Sequence, residues 1–390
     1  MEKHFGIYVH IPFCIKKCAY CDFVSFGGCD DNLKERYVEA LKKEIRDKDA
    51  KDVLENDEEK FSNNIVDTIY IGGGTPSVID SKYIGEILDE IKKKYSVSED
   101  AEITIEVNPG TVDEEKLSDY KRFGINRISM GLQTSDNELL DLIGRIHTYE
   151  EFEEAYKLVK KVGFDNINVD LMIGLPTQTL EDVSKSVMKV ISLFPTHVSL
   201  YSLINEEGTP LTQDIEDGFL PECDEDLERK MYWEAKYTLE SAGFFQYEIS
   251  NFAEIGKESK HNLNCWNQES YIGYGLASHS YYKNVRFSNT TNINEYIDRI
   301  NLGNIKDIIN IEEIQDDISK EKEYIMLGLR KFEGVNSNLF KEKFGKDLFI
   351  EYKNEIEKLE KEELITKRLD GIALSKKGID FANLAFEEFV

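Results

Sequence analysis

Short runs of apolar and polar residues alternate with longer amphipathic segments along the first two thirds of the chain. Six runs predict β-strands, with a weaker seventh at FQYEISNFA; they are FGIYVHIP, VDTIYIGGG, ITIEVNPG, NRISMGLQ, NINVDLMIG and HVSLYSL. Apolar residues at three- and four-residue spacing predict helices over Leu33–Ile45, Tyr83–Tyr95, Tyr149–Val162 and Leu180–Leu193. This repetition is typical of a parallel sheet, either doubly wound or curled into a barrel.

One face of the predicted strands is consistently polar. Successive strand side chains point to opposite faces, and the polar set is Thr104, Glu106, Arg127, Ser129, Gly131, Gln133, Asn166, Asn168, Asp170, His197, Ser199 and Tyr201. A buried parallel sheet is normally apolar on both faces, and an unsatisfied buried polar group costs roughly 1–3 kcal/mol. The pattern therefore predicts an open barrel with a polar ligand inside. The alternative is a half-solvated antiparallel sheet, which the intervening helices disfavour.

Composition and charge narrow the class of protein. The chain has 390 residues, is 41% hydrophobic and carries a formal net charge of −28, so we expect no nucleic-acid partner. There is no apolar run of membrane-spanning length and no signal-peptide pattern, and we therefore expect a cytoplasmic protein. The acidic, lysine-rich stretch RDKDAKDVLENDEEKFSNN predicts an exposed loop or helix extension.

Three cysteines follow the first predicted strand, in the stretch HIPFCIKKCAYCDF. Cys14, Cys18 and Cys21 are separated by gaps of three and then two residues, whereas a closed zinc site needs four protein ligands. Three close thiolates suit a cubane iron–sulfur cluster with one iron left free for another ligand. A zinc loop and chance spacing are the alternatives. The remaining cysteines, Cys29, Cys223 and Cys265, form no second motif or disulfide framework.

This C-x3-C-x2-C motif resembles the hallmark of the radical S-adenosylmethionine superfamily. The resemblance implies a partial (β/α)6 TIM-like barrel with a [4Fe-4S] cluster on Cys14, Cys18 and Cys21. It also implies S-adenosylmethionine, whose methionine amino and carboxylate groups chelate the open iron and whose reductive cleavage gives a 5′-deoxyadenosyl radical. The GGGTP stretch at 72–76 falls where the superfamily holds the methionine amino group.

A narrower resemblance extends over nearly the whole chain. The stretches YVHIPFC, IGGGTPS, IEVNPG, RISMGLQ, DLMIGLPTQT and LYSL are similar to the coproporphyrinogen dehydrogenase group and its haem-chaperone relatives. That similarity implies cosubstrate contacts from Tyr8, Tyr20, Gly73, Gly74, Thr75, Glu106, Gln133, Arg145, Asp170 and Ser202. Glu106, Gln133 and Asp170 already belong to the polar strand face. Arg145 follows a helix-like stretch, where a surface arginine is the alternative.

Two members of that group differ around the cysteines. The dehydrogenase, an oxygen-independent coproporphyrinogen III oxidase, typically has a longer N-terminal arm and a fourth cysteine two residues after the third, where this chain has Phe23. The HemW-type haem chaperones lack both and carry the signature H-N-x-x-Y-W. This chain has HNLNCW from His261 to Trp266, with Cys265 in the tyrosine position. The resemblance therefore implies a haem chaperone, with the oxidase as the alternative and a non-catalytic metal-binding scaffold as a weaker one.

The haem-chaperone resemblance also suggests ligands and partners. Imidazole and thiolate are both competent axial haem ligands, so His261, Cys265 and His279 are candidates to contact haem or the cosubstrate. The implied partners are haem as bound cargo, haem-accepting apoproteins, an electron donor for the cluster and peripheral membrane proteins.

The alternation of predicted strands and amphipathic helices ends at about Asn304, and mainly helices with a short hairpin follow. The segment KLEKEELITKRLDGIALSKKGIDFANLAFEEF reads as helix, strand, Asp370-Gly371 turn, strand and helix, which predicts a winged-helix-like α+β domain. Its scattered lysines favour packing against the barrel or a partner over DNA binding. The expected organisation is a radical SAM partial barrel over 1–250, a connecting segment with the HNLNCW motif over 251–304, and a HemN-type C-terminal domain over 305–390.

Overall fold

The computed structural model describes residues 4–54 and 59–389. The strands in these ranges are β1 (Phe5–Ile11), β2 (Phe13–Cys14), β3 (Phe26–Gly27), β4 (Ile65–Gly73), β5 (Ser96–Val107), β6 (Arg127–Gln133), β7 (Asn166–Ile173), β8 (His197–Ser202), β9 (Phe245–Glu248), β10 (Asn251–Ala253), β11 (Ser270–Tyr274), β12 (His279–Tyr282), β13 (Val285–Asn289), β14 (Ile309–Ile314), β15 (Val335–Asn336), β16 (Ile365–Arg368) and β17 (Gly371–Leu374).

The α-helices lie mainly between these strands. They are α1 (Asp31–Asp47), α2 (Ser81–Lys94), α3 (Glu114–Phe123), α4 (Asn137–Leu142), α5 (Tyr149–Val162), α6 (Leu180–Ile191), α7 (Pro210–Glu216), α8 (Glu225–Ser241), α9 (Lys260–Trp266), α10 (Ile293–Leu302), α11 (Asp317–Arg330), α12 (Ser337–Phe344), α13 (Leu348–Glu351), α14 (Lys353–Lys361), α15 (Lys376–Asp380) and α16 (Ala382–Glu387). Short 3₁₀ turns cover Ala50–Asp52, Phe61–Asn63, Pro76–Val78, Pro109–Thr111 and Ile305–Ile308. None of the helices in the described ranges is long and apolar enough to cross a membrane.

Six consecutive parallel strands form the centre of one large sheet, in the order β1-β4-β5-β6-β7-β8. Helices α1, α2, α3, α5 and α6 connect them, which confirms the predicted (β/α)6 arrangement and all four predicted helices. Local sequence defines the helix ends: Thr148 and Glu151 form a capping box at the start of α5, and Gly163 ends it with a φ of 95°. The apolar strand faces are buried against these helices in one continuous core.

Residues 251–304 contribute strands to the same sheet. β11 pairs in parallel with β1, and β12, β13 and β14 extend that edge antiparallel, while β10 and β9 pair beyond β8. The segment predicted as a connection therefore supplies four strands, β10 to β13, to the large sheet. Because β14 also belongs to this sheet, we propose that the barrel unit extends to Ile314 and that the C-terminal domain begins at Asp317.

A buried ion cluster attaches this added edge to α1. The Glu44 carboxylate accepts hydrogen bonds from Lys48 Nζ (3.0 Å), Asn289 Nδ2 (2.7 Å), the Gly275 backbone N–H (2.8 Å) and the Tyr296 hydroxyl (2.6 Å). Both charged side chains are fully buried. The prediction of an exposed stretch after α1 is wrong at Lys48 and at Phe61, which is also fully buried, since these side chains complete the packing of the β11–β13 edge; part of that stretch, 55–58, lies outside the described residues.

The C-terminal domain has its own core and a three-stranded sheet in the order β15-β17-β16. β16 and β17 form the predicted hairpin, and α11, α12 and α14 pack with them, which confirms the winged-helix-like α+β fold. The HNLNCW end of the barrel contacts this domain: Lys331 Nζ donates to Asn267 Oδ1 (2.6 Å), and the Arg330 guanidinium lies 4.4 Å from the Trp266 ring centroid. Helix α9 therefore sits between the two units.

Candidate cluster and cosubstrate site

A cavity of about 540 Å³ opens inside the barrel. Its volume lies within the range of roughly 300–1,000 Å³ that small-molecule sites occupy. Nine of the twelve residues predicted on the polar strand face line it; they are Glu106, Arg127, Ser129, Gly131, Gln133, Asn168, Asp170, Ser199 and Tyr201. The prediction of a polar-lined chamber is confirmed. The cavity also contains three cysteines, which places the two sequence signals in one site.

Cys14, Cys18 and Cys21 are free thiols that line the same cavity. The Thr75 hydroxyl donates to Cys14 Sγ (3.6 Å), and Arg145 Nη1 donates to Cys18 Sγ (3.7 Å). Burial raises the pKa of Cys14 and of Cys21. In the part of the chain that the structure describes, no group of three or more His, Cys, Asp or Glu side chains could hold a metal ion. Thiolates of a cubane cluster bind different irons and need not converge on one ion.

The cysteine loop is attached to the barrel by backbone contacts. The Ala19 N–H donates to the Ile143 carbonyl (2.9 Å), and the Thr75 N–H donates to the Phe13 carbonyl (2.8 Å). Among the aromatic residues next to the three cysteines, Phe13 is fully buried and Tyr20 is half-buried. Phe23 is 65% exposed at the cavity mouth, so it does not shield the cysteines from water in this structure.

Two glycines at the end of β4, Gly73 and Gly74, allow the backbone to approach the cysteines. A Cβ on Gly74 would lie 2.9 Å from Cys14 Sγ, and one on Gly73, whose φ is +119°, would lie 2.8 Å from the His10 ring. Such contacts are closer than side chains tolerate, so this turn requires glycine.

Replacing Gly74 with Ala should therefore displace the Cys14 sulfur. We expect cluster retention to weaken roughly tenfold or more, the size of effect seen when groups that orient metal ligands are changed. The iron and sulfide content of the protein after anaerobic reconstitution measures how much cluster is retained. Gly110→Ala is the matched control, because its nearest neighbour would be 3.7 Å from the new Cβ; equal iron content in both variants would contradict the prediction.

Glu106 and Asp170 are the two carboxyl groups on the strands that line the cavity; Asp22 and Glu206 line it from loops. Glu106 accepts hydrogen bonds from the Tyr70 hydroxyl (2.8 Å) and the Gly73 N–H (3.2 Å), and Asp170 accepts one from Asn168 Nδ2 (2.7 Å). Burial, with the Asp170 charge adding to it, raises the pKa of Glu106 to about 7. Burial also raises the pKa of Asp170. A bound cation would favour the ionised form of both groups.

The raised pKa of Glu106 predicts a pH-dependent stability of the protein without cofactors. The folded state keeps a proton that the unfolded chain loses near its ordinary pKa of 4.5, so the free energy of unfolding should fall between pH 4.5 and about pH 7 and then level off. Because the cavity opens to water, we expect a loss of about 1–2 kcal/mol. Urea unfolding should show a lower free energy of unfolding at pH 8 than at pH 5 in the wild type. The Glu106→Gln variant should not show this difference.

Glu115→Gln, which changes an exposed glutamate, controls for net charge in that comparison. A wild type and a Glu106→Gln variant with parallel pH profiles would refute the assignment of this pH dependence to Glu106.

Gln133 and Arg145 form another part of the cavity wall. Arg145 Nη2 donates to the Gly131 carbonyl (2.6 Å), so this arginine lies in the cavity and the surface alternative is wrong. Gln133 has a φ of +77°, which is unusual for a residue with a side chain. Gln133 Oε1 and Arg145 Nε are buried without a partner among the described residues. Orphaned buried polar atoms of this kind mark a place where a polar ligand would bind.

The other implied cosubstrate residues lie at the edges of the cavity. Tyr20, Gly73, Gly74, Thr75 and Ser202 line it. The Ser202 hydroxyl hydrogen-bonds to Glu228, and Arg229 Nη2 donates to it (3.2 Å). Tyr8 is not among the lining residues; its hydroxyl hydrogen-bonds to His10 Nδ1 (3.0 Å), and its ring stacks on that of Tyr70, which lines the cavity.

His261 lies inside the base of the barrel. Its Nδ1 hydrogen-bonds to Thr68 Oγ1 (2.9 Å), its ring stacks on Tyr70 with 5.4 Å between centroids, and it is 7% exposed. Burial lowers its pKa to about 4, so it is neutral. The adjacent Asn262 lines the cavity, which shows that α9 forms its floor.

Cys265 and His279 occupy different surroundings. Burial raises the pKa of the Cys265 thiol to about 12. The His279 ring is 65% exposed on β12, where its Nδ1 lies 3.3 Å from Glu312 Oε1. The structure therefore places His261 in the barrel and His279 at the surface, and His279 does not line the cavity.

Several cavity residues were not assigned a role from sequence. Tyr70, Asn108 and Met172 line the cavity, as do Arg127, Ser129, Asn168, Ser199 and Tyr201. Strand alternation had placed the last five on the polar face. It could not distinguish cosubstrate contacts from residues that face other parts of the chamber.

The residues present fit a [4Fe-4S] cluster and S-adenosylmethionine. Three free thiols, a glycine turn against one of them, and unpartnered donor and acceptor atoms lie around one cavity. The model of the Radical SAM superfamily matches residues 8–190, and that of the HemN C-terminal domain matches residues 320–381. The fold is similar to that of HemN, the Escherichia coli coproporphyrinogen III oxidase, with a TM-score of 0.83, 22% identity, and coverage of 100% of this chain and 90% of that one. Fold and cavity thus define a radical SAM protein with a HemN-type C-terminal domain.

Proteins named heme chaperone HemW are similar over the full length. That of Bacillus subtilis is 34% identical over 389 residues, covering 98% of both chains. That of Haemophilus influenzae is 33% identical over 394 residues, covering 99% of this chain and 97% of its own. The chain belongs to the HemW family, as the sequence resemblance predicted.

Proposed function

We propose that this protein is a haem chaperone that binds haem and transfers it to apoproteins, with a [4Fe-4S] cluster on Cys14, Cys18 and Cys21 and S-adenosylmethionine in the cavity. The full-length similarity to proteins named heme chaperone HemW is the observation that carries the proposal. The geometry of the cavity supports the two cofactors.

The cavity residues divide into two groups by their chemistry. Thr75 and Arg145 donate to cysteine sulfurs, and such hydrogen bonds stabilise thiolates and adjust the reduction potential of a cluster. Glu106 and Asp170 supply carboxylates for the ammonium and hydroxyl groups of S-adenosylmethionine, and Gln133 supplies a free acceptor. When bound, the cluster and the sulfonium compound supply one-electron chemistry.

The proposal requires two kinds of partner. A reductant protein must deliver an electron to the cluster, and an apoprotein must accept the haem. Three exposed residues, Lys16, Phe23 and Ile204, belong to the cavity lining and form its rim. We propose that this rim faces the electron donor.

The haem ligands remain a proposal, with His261, Cys265 and His279 as candidates. His261 is the candidate that lies next to the cavity, whereas His279 is at the surface. If His261 holds haem, His261→Ala should lose haem and keep the cluster, and His279→Ala should keep both. The reverse pattern would assign the haem to the exposed histidine.

Haem transfer tests the proposed function directly. The protein is reconstituted anaerobically with iron and sulfide, loaded with haem, and mixed with apomyoglobin, while the Soret band of the acceptor is recorded. We expect one haem per chain to bind and to move to the acceptor. In a parallel reaction with coproporphyrinogen III, reductant and S-adenosylmethionine, we expect no protoporphyrinogen. Formation of that product, or failure to bind haem, would overturn the chaperone function.

A further inference from the structure

Arg127 is a buried cation without a close counter-ion. Its side chain is 2% exposed, and its Nε has no hydrogen-bond partner. Within the described residues no carboxylate oxygen lies within 4.0 Å of its nitrogens. An unpaired charge in a protein interior costs several kcal/mol, so a structural role alone does not account for it.

The Arg127 charge acts to lower the pKa of two acidic side chains, and both already accept hydrogen bonds from other donors. Glu106 is bound by Tyr70 and the Gly73 N–H, and Asp170 by Asn168. Burial raises the pKa of both carboxyl groups, although the Arg127 charge acts in the opposite direction. Neither group therefore neutralises the guanidinium by contact.

Arg127 begins β6, whereas the cosubstrate residue Gln133 ends that strand. Six residues of β-strand span roughly 20 Å, so the two residues serve different depths of the cavity. Other polar residues of the cavity lining are Tyr70, Ser129, Asn168 and Ser199 on the strands and Asn262 on α9; with Arg127 we call them the deep end. The deep end has hydroxyl and amide groups and one cation, and two of its members, Tyr70 and Asn168, donate to Glu106 and Asp170. A cation with neighbouring hydrogen-bond donors is the chemistry that recognises a carboxylate.

We infer that the deep end binds a carboxylate of the ligand, with Arg127 as its charged donor. A guanidinium presents two parallel N–H groups that match the two oxygens of a carboxylate. This inference rests on the proposed function: because the proposed ligand is haem, the carboxylate is one of its propionate groups. Arg127 would then fix the orientation in which haem enters the barrel.

The test compares haem with haem dimethyl ester, which has the same ring and no free carboxylate. Dissociation constants are measured anaerobically for the wild type, Arg127→Gln and Arg127→Lys. We expect Arg127→Gln to weaken haem binding roughly 10–100-fold, since hydrogen bonds to charged groups contribute about 1.5–3 kcal/mol. Ester binding and S-adenosylmethionine binding should be unchanged. Arg127→Lys should give an intermediate loss of haem affinity, because lysine keeps the positive charge and lacks the two parallel N–H groups of the guanidinium.

Arg122→Gln is the matched control, because Arg122 is 70% exposed and pairs with Asp119 (2.8 Å) at the surface; it should bind all three ligands as the wild type does. Thermal unfolding without ligand separates binding from structure. Removing an unpaired buried charge should leave the melting temperature unchanged or raise it.

Three outcomes would overturn the inference: no loss of haem affinity, an equal loss for haem and its ester, or a lower melting temperature for Arg127→Gln. If Arg127→Gln instead weakens the binding of S-adenosylmethionine and leaves haem binding intact, the carboxylate that Arg127 contacts is that of the methionine part of S-adenosylmethionine. That result would also overturn the inference. A wild type that binds neither haem nor ester would instead refute the proposed function. A wild type that binds haem and ester equally well refutes the propionate contact alone.

Discussion

Serine substitutions at Cys14, Cys18 and Cys21 should each abolish the cluster. We expect iron content after anaerobic reconstitution to fall from about four per chain to near zero, because two thiolates cannot hold a cubane that depends on three. The broad visible absorption of the cluster should disappear with the iron. Folding should be retained, since Cys18 and Cys21 are only half-buried at the cavity wall.

Cys29 and Cys223 provide controls for this experiment within the same chain. Cys29 is a free, half-buried thiol that follows β3, the strand paired with β2. Its Sγ points to the Phe26 carbonyl (3.9 Å) and it does not line the cavity. Cys29→Ser and Cys223→Ser should therefore keep full iron content. Loss of iron in either control, or its retention in Cys18→Ser, would show that the ligand set is wrong.

Glu44→Ala should be the most destabilising single change outside the cavity. It leaves Lys48 buried without a charged partner and removes the acceptor for Asn289, Gly275 and Tyr296. Breaking one partner of a buried pair costs about 3–5 kcal/mol. Urea unfolding monitored by circular dichroism measures this loss.

Asp47→Ala on the same helix is the comparison for that experiment. Its ion pair with Lys43 (2.9 Å) is partly exposed, and such pairs contribute about 0–1 kcal/mol. A loss below about 1 kcal/mol in Glu44→Ala would show that the buried cluster does not hold the β11–β13 edge to α1.

The central part of the fold could be predicted from the sequence because its signals are local and repeated. Six strands alternate with long amphipathic helices, and right-handed crossovers leave few ways to connect them. The polar face was readable because a two-residue period assigns each side chain to one face. The cysteine spacing then gave the end of the barrel at which the chemistry would occur.

The added sheet edge could not be predicted in the same way. β11 to β13 have four or five residues each, with the sequences SYIGY, HSYY and VRFSN, and are too short to show a clear two-residue alternation. Their register depends on pairing with β1 and on the distant Glu44 and Lys48 side chains. Contacts between residues so far apart in the chain produce no repeating pattern of apolar and polar residues that could be recognised in the sequence.

The contacts and burial of individual site residues could not be predicted from the sequence either. His261 lies in α9, and its ring hydrogen-bonds to Thr68, which no feature of the HNLNCW motif indicates. Arg127 was placed on the polar face, but only packing shows that no carboxylate contacts it. Burial and the absence of a partner are properties of the assembled barrel.

Electron paramagnetic resonance of the reduced, reconstituted protein tests the central claim most directly. If one iron of a cluster on Cys14, Cys18 and Cys21 is open to the cavity, adding S-adenosylmethionine should shift the g-values of the reduced cluster, and the shift should be absent in Glu106→Gln combined with Arg145→Gln. A reduced cluster whose spectrum is identical with and without S-adenosylmethionine would contradict the account.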